Sequence, residues 1–286
     1  MNKTIKFLIL AAAVVMICIG IRGLASQGDS RSSDADNSLV NTGNPDKNEQ
    51  YSSPSLPASE LLNVKIPADI PSQVKDYEGF RLSFNKDNKT PNWVAWELLA
   101  SESDGSSSRS NNFWTDPDID GCPSKSDYSR SGYDRGHICP SADQKWSRKA
   151  MEDCFVMANM CPQDHSLNSG AWSTLEKKER LWAQRDSAIL IVGGPIYYPG
   201  DNERIGEAGV RVPRAFFKVL AAPFLPDPRG IAFIYPNMSA PGNMENYVMT
   251  IDEVEKATGF DFFSSLPDEI ENEIESKSSF KEWNKR

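Results

Sequence analysis

Residues 133–180 constrain the fold most, because polar blocks punctuated by glycine and proline give way there to a long run almost free of helix breakers. The first block, Asp134-Arg135-Gly136-His137, follows the turn signal Ser131-Gly132. A histidine set after glycine and before Ile138 lies where the backbone enters or leaves a strand. The second block, Asn159-Met160-Cys161-Pro162-Gln163, leads into Asn168-Ser169-Gly170-Ala171-Trp172 and Leu175-Glu176. From about Ser166 only Gly170 interrupts, and Trp172, Leu175, Leu181 and Trp182 recur at helical spacing, which predicts a helix. Asn168, Trp172, Glu176 and Arg180 are spaced by four on it. That spacing drifts about 40° per step, so Asn168, Glu176 and Arg180 form a broad stripe, whose plainest reading is a solvated face with Glu176 paired to Arg180.

Strands are predicted on both sides of this middle. Residues 79–84 alternate in polarity, and 92–98 do so again after a turn at Asn88-Lys89-Thr90-Pro91. Residues 188–192 read as a buried strand ending at Gly193-Gly194-Pro195. Residues 215–221 and 231–235 are two more, separated by the turn Pro226-Asp227-Pro228-Arg229-Gly230. Thr250 or Asp252 caps a short helix ending near Gly259, and a second helix starts after Pro267. Strands around a helical middle predict an α+β fold, a mixed or antiparallel central sheet flanked by helices, in one domain over residues 61–286. Two polar loops interrupt it, residues 101–112 with Arg109 and residues 116–131, and loops of the second length are often functional.

Residues 1–25 read as an export signal: Lys3 and Lys6, an apolar run over residues 7–21, then Gly23-Leu24-Ala25. That run falls short of the about 20 residues a spanning helix needs, and an uncut membrane anchor through residues 7–21 is the alternative. Either way the expected location is outside the cytoplasm: periplasmic, secreted, or anchored facing outward. Residues 26–60, rich in Ser, Asn, Asp, Gly and Pro, predict a disordered polar linker. Cys122, Cys139, Cys154 and Cys161 follow it; an oxidising compartment allows one or two disulfides among them, with buried free thiols as the alternative.

The formal charge of −9 is awkward for a protein that grips phosphates. Its distribution softens the objection. Residues 252–275 hold nine acids against one base, whereas residues 135–185 hold eight bases against six acids. In that second stretch an imidazole, an amide with metal-ligand capacity, a carboxylate and several guanidinium groups supply the parts that metal-assisted phosphodiester cleavage requires. An unperturbed imidazole is largely neutral at pH 7 and can take a proton from water. Arg135 can hold a phosphate oxygen bidentately, or brace its loop by pairing with Asp134.

These blocks resemble the DNA/RNA non-specific endonucleases. The resemblance rests on Asp134-Arg135-Gly136-His137, on Asn159 with Pro162-Gln163, and on Asn168 followed by Trp172 and Glu176. It extends more loosely through Gly193-Gly194-Pro195, Val212-Pro213 with Phe216-Phe217-Lys218, and Gly259-Phe260-Asp261-Phe262-Phe263. It implies a ββα-metal (His-Me finger) motif, with the histidine on a strand and the metal-binding asparagine on the following helix. By position, His137 would be the general base and Asn168 the direct ligand to Mg²⁺, with Mn²⁺ or another divalent ion as alternatives. Glu176 would hold metal-bound waters. Arg135 and Arg180 would neutralise the scissile phosphate, and Asn159 would orient His137 or the metal waters. Arg109 is the nearest counterpart of a second substrate-binding arginine. The substrate implied is DNA and/or RNA, and no oligomeric state is read from the residues. Asp164-His165 departs from the small or basic residues the family often carries there. Two other readings stay open: a phosphodiesterase for small nucleotides, and a catalytically idle nucleic-acid-binding relative.

Overall fold

Stretches of period two become the strands of one sheet in the computed structural model, which describes residues 58–285. In chain order the elements are α1 (Ala58–Leu61), β1 (Gln73–Asp76), β2 (Arg81–Asn85), β3 (Thr90–Leu99), β4 (Asp134–His137), α2 (Arg148–Asp153) and β5 (Met160–Gln163). There follow α3 (Ser173–Asp186), β6 (Ala188–Ile196), β7 (Arg204–Ile205), β8 (Val210–Arg211), β9 (Ala215–Ala222), β10 (Arg229–Pro236), β11 (Val248–Met249), α4 (Ile251–Thr258), α5 (Asp268–Ser276) and α6 (Phe280–Trp283). Seven strands pair in the order β1-β2-β3-β6-β9-β10-β11, every pair antiparallel. The α+β expectation is met, and the main sheet is antiparallel rather than mixed.

The central strands are covered on both faces, so they read as continuous apolar runs. In β9 successive side chains go to opposite sides: Phe216 packs on Trp172 with ring centroids 5.6 Å apart, and Phe217 packs on Phe262 at 5.5 Å. One layer therefore belongs to the helical middle and the other to the C-terminal segment. The chain between β3 and β6 leaves the sheet, builds the two-stranded ribbon β4-β5, and returns through α3.

Several boundaries differ from the sequence expectation. β6 runs on through Gly193-Gly194-Pro195 instead of ending there. A Cβ on Gly194 would sit 2.5 Å from the Asn92 carbonyl oxygen, so that glycine marks a close backbone approach inside a strand, not a turn. Pro195 is tolerated because pairing with β3 ends at Gly193. Thr90-Pro91 and Arg229-Gly230 likewise belong to strands rather than to the turns before them. The helix expected from Ser166 is broken: residues Leu167–Trp172 form a π-helical turn with Gly170 at φ −103°, ψ −107°, and the regular helix begins at Ser173. Leu181, counted with its apolar stripe, is 57 % exposed.

The C-terminal helices follow their signals. Thr250 accepts the Glu253 amide and α4 stops at left-handed Gly259, while α5 starts directly after Pro267. Cys122, Cys139, Cys154 and Cys161 are free thiols, the last three fully buried in the apolar core. The long loop at residues 116–131 is pinned down: Asp116 takes the Tyr77 hydroxyl at 2.6 Å, and Asp127 caps a short 3₁₀ turn through the Ser124 amide at 2.8 Å. The export segment and most of the polar linker lie outside the described residues. Among the described residues no helix is long and apolar enough to cross a membrane.

Candidate active site

In the β4-β5 ribbon His137 pairs with Met160 and Asp134 with Gln163. Gly136 cannot be replaced without moving that ribbon, because its Cβ would meet Gln163 Oε1 at 2.3 Å. Asn159 closes the end of the ribbon. Its Nδ2 donates to the carbonyls of Cys139 and Cys154, both at 2.9 Å, and its Oδ1 accepts the Cys139 amide at 3.0 Å. Asn159 is fully buried with its amide bonded to backbone, so it fixes the path of the chain just past His137, and none of these bonds involves the His137 ring itself.

The Arg135 backbone lies where it favours the protonated His137 ring, and Nε2 is buried with no hydrogen-bond partner. Phe155 stands edge-on to the ring at 4.8 Å and Phe113 lies at 5.8 Å. Each of these phenyl rings also carries a guanidinium. Arg109 lies 5.1 Å over Phe155 and bonds the Ser141 hydroxyl; Arg135 lies 4.6 Å over Phe113 with its Nε unpartnered. The structure thus brings Arg109 to the histidine from a loop 28 residues upstream in the chain.

Burial, followed by the charge of Arg109 and more weakly that of Arg135, pushes the His137 imidazolium down to about 3. The unfolded ring protonates near 6.5 and the folded one near 3, so between these values the unfolded state holds the extra proton. Stability is therefore expected to fall as pH drops through that window, and His137→Ala should flatten the slope. Urea midpoints at several pH values between 7 and 4 check this; equal slopes for the two proteins would contradict it.

Asp134 does not brace Arg135. One of its oxygens, Oδ2, accepts Asn168 Nδ2 at 2.8 Å and also lies 2.8 Å from His165 Nδ1. A carboxylate only accepts, so this contact fixes which end of the Asn168 amide is nitrogen and leaves Oδ1 uncommitted. Asp164 shapes the widened turn that carries Asn168: its carboxylate takes the Ser166 amide at 2.9 Å and its carbonyl takes the Asn168 amide at 2.9 Å. His165 is 78 % exposed and rests on the far side of Asp134.

The third group hangs from α3. Arg180 donates to Asp143 Oδ1 at 2.7 Å rather than pairing with Glu176, and the indole of Trp96 donates to Asp143 Oδ2 at 3.2 Å. From the preceding residue on α3, Glu179 Oε2 meets Lys218 Nζ at 3.3 Å, and both side chains are fully buried. The ammonium sits between two indoles, 4.4 Å from Trp96 and 4.9 Å from Trp172. Glu176 has no hydrogen-bond partner among the described residues. Burial pushes its carboxyl up to about 8, with Lys218 pulling it back and Glu179 and Asp143 adding to the rise. Asp143 and Lys218 were not singled out from sequence as functional, although a lysine inside the apolar run of β9 was a visible signal.

The three groups share elements: Asp134 and His137 lie on one strand, and Asn168 and Glu176 lie on either side of the kink at Gly170. The model of a known family, the DNA/RNA non-specific endonucleases, matches residues 57–269. The chain belongs to this family. It is an enzyme, a nuclease that hydrolyses phosphodiesters. A "Mitochondrial nuclease" of Saccharomyces cerevisiae is 32 % identical over 253 residues, covering 79 % of this chain and 76 % of the relative. A "Nuclease" of a Nostoc species is 33 % identical, covering 79 % and 87 %. Endonuclease G of Bos taurus, also called mitochondrial, is 30 % identical and covers 72 % and 74 %. Among solved structures, an EndoG in complex with EndoGI superposes with a TM-score of 0.66 at 27 % identity, covering 72 % of this chain and 93 % of that one. The expectation of export is overturned by these relatives, several of which carry mitochondrial names.

Proposed function

We propose that the enzyme cleaves internal phosphodiester bonds of DNA and/or RNA with little regard for sequence, assisted by a divalent cation, Mg²⁺ foremost. The observation that carries this reading is the buried, unpartnered Nε2 of His137, whose ring packs on Phe155 and Phe113, each of which carries a guanidinium. With Nε2 unpartnered, the ring accepts a proton there from an attacking water. Without substrate, burial and then the charges of Arg109 and Arg135 hold the ring's basicity down. A phosphodiester anion seated against those two charges would offset them and lift the ring toward the range a general base needs. Arg180 keeps donors beyond the one given to Asp143 and adds a third positive group.

The donor set suits a hard cation. Asn168 offers Oδ1 because Asp134 occupies its nitrogen, and Glu176 offers a carboxylate free to hold coordinated water. When bound, the ion polarises the phosphoryl oxygen and stabilises the leaving 3′-oxygen.

Plasmid nicking with and without chelator, set beside hydrolysis of a dinucleotide ester, tests this reading. Cleavage of the plasmid that survives exhaustive chelation, or a preference for the dinucleotide, would overturn it. Asn168→Ala is expected to raise the metal concentration for half-maximal rate while leaving nucleic-acid affinity nearly unchanged. Asp134→Ala should do the same by about 10–100-fold, because it releases the amide it orients. A metal titration curve unaltered by either change would place the ligand elsewhere.

A further inference from the structure

The nine acids of residues 252–275 take no part in the site above. On α4 and α5 the carboxylates of Asp252, Glu255 and Glu275 converge, with one oxygen from each lying within 4.8 Å of the others. A calcium-sized ion binds oxygens at about 2.3–2.6 Å, so ligands across it stand about 5 Å apart, and the observed spread is one such an ion can span. Convergence alone means little, since acids on a surface cluster freely in water. Glu275 is different. It is 8 % exposed, and its Oε1 is buried with no hydrogen-bond partner. Lys277 pairs with Glu273 and Lys65 with Asp261. Glu255 is already oriented, its Oε1 accepting the Phe262 amide at 2.8 Å. Asp252 is exposed and leaves a path for an ion and its waters.

We infer that Asp252, Glu255 and Glu275 form a second divalent-cation site, selective for Ca²⁺ over Mg²⁺, that ties α4 to α5. Three carboxylates spread over as much as 4.8 Å, with water filling the remainder, suit Ca²⁺, whereas Mg²⁺ demands a near-octahedral shell at shorter distances. The site ties down the C-terminal segment on elements that carry none of the residues of the candidate active site.

The test is thermal unfolding and calorimetry of chelator-stripped full-length protein titrated with CaCl₂, for wild type, Asn168→Ala, Glu275→Gln and Asp252→Asn. At Ca²⁺ about 100-fold above its Kd, the midpoint should rise by about 5–10 °C in wild type and in Asn168→Ala. Glu275→Gln and Asp252→Asn should each lose at least about tenfold in Ca²⁺ affinity and keep Mg²⁺-supported nuclease activity within about twofold. No rise or heat in wild type at millimolar Ca²⁺, or an equal rise in Glu275→Gln, would overturn the assignment. Loss of the rise in Asn168→Ala alone would move the ion to the catalytic site and equally overturn it. Should Glu275→Gln fail to fold, exposed Asp252 decides, and undiminished affinity in Asp252→Asn sinks the proposal.

Discussion

Replacing His137 by alanine is expected to lower kcat by about 10²–10⁴-fold while the protein stays folded and still binds nucleic acid. Nε2 of the ring has no hydrogen-bond partner, and the charges of Arg109 and Arg135 both bear on the imidazole. Alanine removes the proton acceptor and leaves both charges in place, so binding should survive. The gap it leaves against Phe155 and Phe113 is small and lies at the rim of the core, so near-UV circular dichroism should change little. Added imidazole, a molecule the vacated space can hold, should restore part of the rate with a dependence on free-base concentration. Activity within a few-fold of wild type, or an equal loss of rate and affinity, would remove His137 from the role of base.

Much of the site was legible because its residues are close in sequence and set among turn signals. His137 at a strand end, Arg135 beside it, and Asn168 with Glu176 on the next helical stretch all follow from local pattern. What local pattern could not give was where each amide and carboxylate would spend its hydrogen bonds. The resemblance implied that Asn159 orients His137 or the metal waters, and in the fold three backbone groups at Cys139 and Cys154 claim its amide. Asp134 looked like a brace for Arg135 because the two are adjacent, but neighbours on a strand point to opposite faces, and the carboxylate reaches Asn168 instead. The helical stripe failed at one residue, since Gly170 bends the chain and puts Asn168 on a separate turn from Glu176. The strand ending at Gly193-Gly194 failed for the opposite reason: glycine there makes room for packing against Asn92 and Phe217, which no period reveals. Arg109 was reachable only as the nearest arginine in a polar loop, because a contact with Phe155 is long-range in the chain.

Lys218→Met should be the most destabilising single change in the domain, by about 3–5 kcal/mol, since it breaks a buried pair and strands the other charge. Methionine fills the slot between Trp96 and Trp172 with little loss of packing, so the effect isolates the charge. Burial already pushes the Glu179 carboxyl up, and Lys218 is the largest influence opposing it. Without the ammonium, Glu179 should fold as the neutral acid, holding a proton that the unfolded chain releases at ordinary carboxylate pH. A group whose folded pKa is raised loses its stabilisation as pH climbs, so the deficit should be larger at pH 8 than at pH 5. Adding Glu179→Gln to Lys218→Met removes the titrating group, and the double variant should recover stability at pH 8 and lose the pH dependence. The same helix carries Glu176 and Arg180, so activity should follow the recovery of stability only in part, because Arg180 and Asp143 are left without the second cation beneath them. Urea unfolding of the three variants at both pH values measures this. A Lys218→Met deficit that is flat with pH, or that Glu179→Gln does not relieve, would mean that Lys218 contributes packing rather than the charge that keeps Glu179 ionised on α3.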